Sequence, residues 1–318
     1  MRSRAMISFA CSLLLCSACT DDGGGTDEVA GTDSSTDSDS TDSGTETGTS
    51  SDTTTDTTDT TDTTDTTDTT DTTDTTDTTD TTGEPMGCAG SCGSPGCLPC
   101  PDPHLVDGGG FGIQATELRA TDYKTFLDED FAPGFVAGWL PDECAWKDDF
   151  TPELWSDFPT PEMPVVGIDW CDAWAYCEWA GLRLCGSIDG TVGQLDQVAD
   201  AAHNQWYKAC SNGGNKIYPY GQLYNANNCN TADLGIGDPV AVGSLATCEG
   251  GYPGIFDMSG NVWEWTSACE SEAVADEDQN CRRRGGSFYS SMDTVRCGTS
   301  SVRARNFRDA SMGIRCCE

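Results

Sequence analysis

A loop-rich α+β domain stapled by disulfides is the fold class this sequence predicts, and three observations predict it. Sixteen cysteines lie between Cys88 and Cys317, an even number downstream of an export-type leader, so up to eight bridges are expected, with their connectivity open. Short segments between Thr116 and Cys210 carry apolar residues at helical spacing. Beyond Tyr218 the chain is rich in Gly and Asn between short apolar pieces, a pattern of loops with a few short strands.

The leader is residues 1–19, MRSRAMISFACSLLLCSAC: two arginines, an apolar run from Ala5 to Leu15, and small residues ending at Cys19. This is the layout of a secretory signal, too short to remain as a membrane span. Leu15-Cys16-Ser17-Ala18-Cys19 also resembles a bacterial lipobox, so Cys19 is the expected lipidation site and its lipid the expected membrane attachment. That attachment places the protein in the cell envelope, at the outer membrane or cell surface.

Residues 20–87 form an acidic Thr/Asp-rich tether with twenty carboxylates and no lysine or arginine, including nine copies of Asp-Thr-Thr from Asp56 to Thr82. Such a segment buries too little apolar surface to offset its ordering entropy, so it is expected to be a disordered spacer. Sixty-eight residues of flexible coil span roughly 50 Å root-mean-square, and like charges extend them further. Of the formal net charge of −37, twenty negative charges sit on this tether, so the folded part is only moderately acidic. No basic stripe is present, which argues against a nucleic-acid partner.

Residues 88–104 are a Cys-rich linker module, CAGSCGSPGCLPC at its head. Its spacing suits loop-stapling disulfides, and a zinc knuckle or a redox CLPC motif are the alternatives. From residue 105 to 318 the chain reads as one domain. In TELRATDYKTFL, Leu118, Tyr123, Phe126 and Leu127 give one apolar face to a helix starting near Thr121. In DWCDAWAYCEWAG, Asp169 is a cap, Ala173, Tyr176, Cys177 and Ala180 recur at helical spacing, and Gly181 ends the helix. Cys171 and Cys177 stand about 240° apart around it, so they need different partners. A third helix is expected over Leu195 to Cys210, with His203 inside it.

The chemistry inventory is short. His104 and His203 are the two histidines, too few for a multi-histidine metal centre. There is no Gly-x-Ser-x-Gly elbow, no phosphate-binding loop and no dinucleotide fingerprint, so hydrolase and nucleotide chemistries are not supported.

An ordered series of blocks carries a stronger signal. ATELRATDYKTFL, PVVGIDWCDAWAYCEWAGLRL, YPYG, FDMSGNVWEW, RRGGSF and GIRCC together resemble the formylglycine-generating enzyme and sulfatase-modifying factor family over residues 105–318. The resemblance implies a loop-rich α+β fold related to C-type lectins. One block departs: after Leu184 this chain reads CGSIDGTVGQLDQVADAAHNQWYKAC, with Gln205-Trp206 where relatives commonly place an acidic residue before tryptophan.

The resemblance also assigns sites. Catalytic relatives hold Cu(I) between two cysteines five residues apart, and those places fall here on Ser290 and Val295, in a loop about three residues shorter. Neither supplies the soft thiolate that Cu(I) needs, so no catalytic residue and no copper are expected. A second register would pair Met292 with Cys297. The relatives' structural calcium maps onto Asp257, Gly260, Val262 and Glu264, an all-oxygen set, with a weaker second calcium site at Asn228, Cys229 and Asp233. The alternative is that Glu264 pairs with an arginine while Asp257 caps a turn. The expected function is a lipid-anchored, non-catalytic module for an unidentified protein or glycan; the alternative is an oxidoreductase of the formylglycine type with an altered metal site.

Overall fold

The computed structural model describes residues 87–156, 160–271 and 274–318. The leader, its Cys19 and the tether up to residue 86 lie outside the described residues. Four α-helices are present among them: α1 (Ala120–Leu127), α2 (Phe135–Trp139), α3 (Trp170–Trp179) and α4 (Gln205–Ser211). One sheet joins β1 (Leu105–Asp107), β2 (Gly112–Gln114), β3 (Arg183–Leu184) and β8 (Cys316–Cys317) in the order β1-β2-β8-β3. The other joins β4 (Trp263–Cys269), β5 (Asn280–Arg284), β6 (Ser301–Ala304) and β7 (Met312–Ile314) in the order β6-β5-β4-β7, with β4 and β7 parallel. This is the mixed, loop-heavy architecture expected.

α3 forms where its sequence places it, because its first turn is capped by a reciprocal pair. The Asp169 carboxylate accepts from the Asp172 backbone N–H, and the Asp172 carboxylate accepts from that of Asp169, both at 2.9 Å. The helix stops at Ala180, and Gly181 takes the left-handed conformation with φ +71°. Its apolar face carries Tyr176 and Trp179 into a core with Tyr123 and Phe126 of α1, with Tyr123 and Tyr176 stacked at 5.7 Å.

The third helix differs from expectation. Leu195–Gln197 makes one 3-10 turn, and α4 begins only at Gln205, capped by the Asn204 side chain on Tyr207 N–H. The reason is local competition: the Asp200 carboxylate accepts from the Ala202 backbone and bonds the His203 ring, while Ser187 and Asn204 form an extended bridge. His203 therefore lies on an exposed turn before the helix.

All sixteen cysteines from Cys88 to Cys317 are bridged. Cys171 and Cys177 do take different partners, Cys144 and Cys316. Adjacent residues of a strand point to opposite faces. Accordingly, Cys316 of β8 bridges to α3 in one core cluster, and Cys317 bridges to Cys185 in the second, around Ile113, Trp206, Ile255 and Met258. In the Cys-rich segment the pairs are Cys88–Cys97 and Cys92–Cys100, so the two cysteines of CLPC are not joined to each other. This segment packs onto the domain, with Cys92 N–H donating to the Trp179 carbonyl. Eight bridges point to an oxidising, exported environment, and no helix among the described residues is long and apolar enough to cross a membrane.

Candidate functional site

The RGGSF block ends β5 and turns sharply, with Gly285 and Gly286 both left-handed at φ +87° and +77°. The chain then curls back so that Ser290 and Val295 meet the same glycine. A Cβ placed on Gly286 would lie 2.7 Å from Val295 Cγ1 and 3.2 Å from Ser290 Cβ, so only glycine fits between them. Ser290 is buried, and its hydroxyl accepts from Ser287 N–H at 3.0 Å and lies 3.3 Å from the Ser287 hydroxyl. Val295 is fully buried, and its carbonyl accepts from the Ser259 hydroxyl at 2.6 Å. Ser290 and Val295, the two positions singled out by the family resemblance, thus converge in space and present a hydroxyl and methyl groups. The register through Met292 and Cys297 has no free thiol: Cys297 is bridged to Cys210, and Met292 is largely exposed.

Next to this loop, the DMSGN turn passes through the left-handed region at Asp257, Gly260 and Asn261. A Cβ on Gly260 would collide with the Asn230 carbonyl, which fixes glycine there. The turn delivers Asp257 and Glu264 to a buried cluster. Arg315 donates through Nε to Glu264 Oε1 at 2.9 Å, with Nη2 at 2.8 Å from the same oxygen, and Trp206 Nε1 donates to Glu264 Oε2 at 2.5 Å. Asp257 Oδ2 accepts from Gly243 N–H at 2.6 Å. A third carboxylate, Glu117, accepts from Val262 N–H and the Asn261 amide.

Three buried carboxylates therefore share one guanidinium. Burial raises the Glu117 pKa well above the usual carboxylate range, and the charges of Asp257 and Glu264 raise it further. Burial likewise pushes Asp257 up to about 6, against the opposing pull of Gly243 N–H and Arg315. For calcium, this donor set divides. Glu264 already has Arg315 as counter-ion and engages both oxygens, as the alternative reading of the sequence has it, while Asp257 uses one oxygen only.

At the weaker second set, Asn228 offers a carbonyl already bonded by the Thr247 hydroxyl, Cys229 is bridged to Cys248, and Asp233 accepts from Tyr224. Sequence reasoning missed Glu117, Arg315 and the Lys147–Asp169–Asp172–Arg308 cluster, in which two cations and two carboxylates meet at 2.5–3.1 Å at the head of α3. Glu117 and Arg315 lie inside the family blocks, and an isolated charge in an apolar block is the signal that points to a buried partner. Lys147 and Arg308 offer no such signal.

Comparison with known proteins gives the family. The chain is 28% identical over 207 residues to a formylglycine-generating enzyme of Bos taurus, covering 56% of this chain and 50% of that protein. It is 30% identical over 173 residues to the inactive C-alpha-formylglycine-generating enzyme 2 of Bos taurus, covering 49% and 50%. It is 29% identical over 188 residues to a hercynine oxygenase of Mycolicibacterium thermoresistibile, covering 52% and 37%. The chain thus spans about half the length of the two Bos taurus relatives. Among solved structures, PvdO from Pseudomonas aeruginosa superposes with a TM-score of 0.44 at 21% identity, covering 65% of this chain and 79% of that one. The model of the sulfatase-modifying factor enzyme 1-like domain matches residues 86–318, and the chain belongs to this formylglycine-generating enzyme-sulfatase family.

Proposed function

We propose that this chain is a non-catalytic member of its family, a binding module that a lipid on Cys19 and the acidic tether hold at the cell envelope. The observation that supports the reading is the convergence of Ser290 and Val295 on Gly286. Cu(I) is a soft ion that binds two thiolates well. A serine hydroxyl engaged with Ser287 and a valine methyl do not replace them, and the nearby Cys297 is held in a bridge. Calcium belongs to this reading in a structural role, with Asp257 as the carboxylate ligand and Gly260 and Val262 as carbonyl ligands, while Glu264 stays paired with Arg315.

The test is direct. Purified full chain is incubated with Cu(I), oxygen and a Cys-x-Pro-x-Arg peptide, and the peptide is weighed by mass spectrometry. An unchanged cysteine is expected. Conversion of its thiol to an aldehyde, seen as the loss of hydrogen sulfide and gain of one oxygen atom, would make the chain an oxidoreductase.

A further inference from the structure

A cleft of about 490 Å³ opens beside α3 and shares no residue with the Ser290 loop or the carboxylate cluster. Trp170 and Trp174 of α3, Arg183 of β3, the end of β4 and Arg305 line it, with the Arg305 guanidinium over the Trp170 ring at 5.0 Å. Two of its polar groups have hydrogen-bonding capacity to spare. Among the described residues the Arg183 guanidinium makes no hydrogen bond or ion pair, and its Nε is buried without a partner. Glu178, one helical turn beyond Trp174, is half-buried, and no donor among the described residues reaches its carboxylate. A buried donor left unpaired is costly, so such a pair marks a place where a ligand gains more than it displaces.

A row of aromatic rings extends from Trp174 of the cleft. Trp139 of α2 lies against Trp174 at 5.4 Å, Phe135 stacks on Trp139 at 5.6 Å and 18°, and Phe131 stacks on both at 6.0 Å. No residue of α2 is fully buried, and Phe131, Trp139 and Trp174 pack against the first core cluster while staying partly exposed. From this arrangement we infer that the cleft and its aromatic row bind an extended, neutral oligosaccharide. Sugar rings offer flat C–H faces to aromatic rings, and hydroxyls, each both donor and acceptor, to planar groups such as a carboxylate and a guanidinium.

Charge selects among carbohydrates. Glu143, Glu178, Glu270 and Asp276 outnumber Arg183 and Arg305 on the walls, and Glu270 lies 3.8 Å from Arg282 outside. An acidic glycan or a nucleic acid meets net repulsion there. An extended peptide would need an edge ladder, and β3, the edge strand at the cleft, has only two residues.

This inference rests on the reading of the chain as a binding module, but its test does not pass through copper, so either can fail alone. Full chain is titrated with cellohexaose, xylohexaose, N-acetylated chitohexaose and hexagalacturonate, with tryptophan fluorescence as the readout. Saturable binding of at least one neutral probe is expected. Trp139→Ala and Arg183→Gln are expected to weaken it about tenfold each, in protein whose circular dichroism spectrum matches the parent's, as central contacts do. The inference is overturned if no neutral probe binds at millimolar concentration, if hexagalacturonate binds best, or if binding survives both substitutions. Should Arg183→Gln fail to fold, the conservative Trp139→Phe, which keeps an aromatic ring against Trp174, decides.

Discussion

Arg315 and Glu264 meet in the interior with both guanidinium Nε and Nη2 on one carboxylate oxygen, at 2.9 and 2.8 Å. Arg315 also donates to the carbonyls of Gln114 and Phe256, both at 2.7 Å, so one side chain ties the ends of the domain to the DMSGN turn. Removing one member of a buried ion pair leaves the other uncompensated, at about 3–5 kcal/mol. Arg315→Met is therefore expected to lower unfolding stability by that amount in denaturant titrations. A loss below about 1 kcal/mol, the range of exposed pairs, would show that the pair is not buried in solution.

Calcium is expected to raise the melting temperature, because whatever binds only the folded state stabilises it by mass action. Asp257→Ala should abolish that response. Glu264 is the poorer probe, since its loss also orphans Arg315. An unchanged melt in excess chelator would remove calcium from the account.

In chelator, the same residue sets a pH dependence of opposite sense. Asp257 has a folded pKa raised from 3.8 to about 6 by burial, with Glu264 adding to the rise and Arg315 opposing it. Between those values the folded state keeps a proton that the unfolded state has lost, so this contribution is full below about pH 4 and gone above about pH 6. Asp257→Asn, which mimics the protonated acid, should therefore match the parent near pH 4 and exceed its stability near pH 7.5 by roughly 3 kcal/mol. A less stable variant at pH 7.5 without calcium would contradict the cluster as described.

The bridge Cys210–Cys297 closes a loop with a sequence separation of 87 and anchors the segment that carries Val295. Loop-closure entropy puts its contribution at about 4–5 kcal/mol. Cys210→Ser with Cys297→Ser should lose stability of that order, and Ellman titration of the unfolded parent should find no free thiol in residues 88–318.

Ser290→Cys with Val295→Cys would set two sulfurs on either side of Gly286. The double variant is expected to compete for Cu(I) against a chromogenic chelator where the parent does not. Equal behaviour of the two would mean that the shortened loop holds the side chains out of ligand reach.

Much of this is legible in the chain. The α3 helix is readable because its cap, its apolar spacing and its glycine stop all act within about a dozen residues. That Ser290 and Val295 cannot act as soft ligands is readable because residue identity alone decides it. A long third helix, which the apolar spacing predicts, does not form because Asp200 satisfies local backbone groups that a helix would need, a competition that periodicity does not register.

What the sequence by itself determined was the disulfide-dependent α+β class and the family blocks, both properties of residue type and short spacing. The tertiary structure alone decided which cysteines pair, that Arg315 neutralises Glu264, and that Arg183, Glu178 and the tryptophans of α3 line one cleft. Each of these depends on groups brought together from distant parts of the chain, as Arg315 reaches Gln114 across 201 residues. Such meetings are set by how the layers pack, and local propensity carries no information about them.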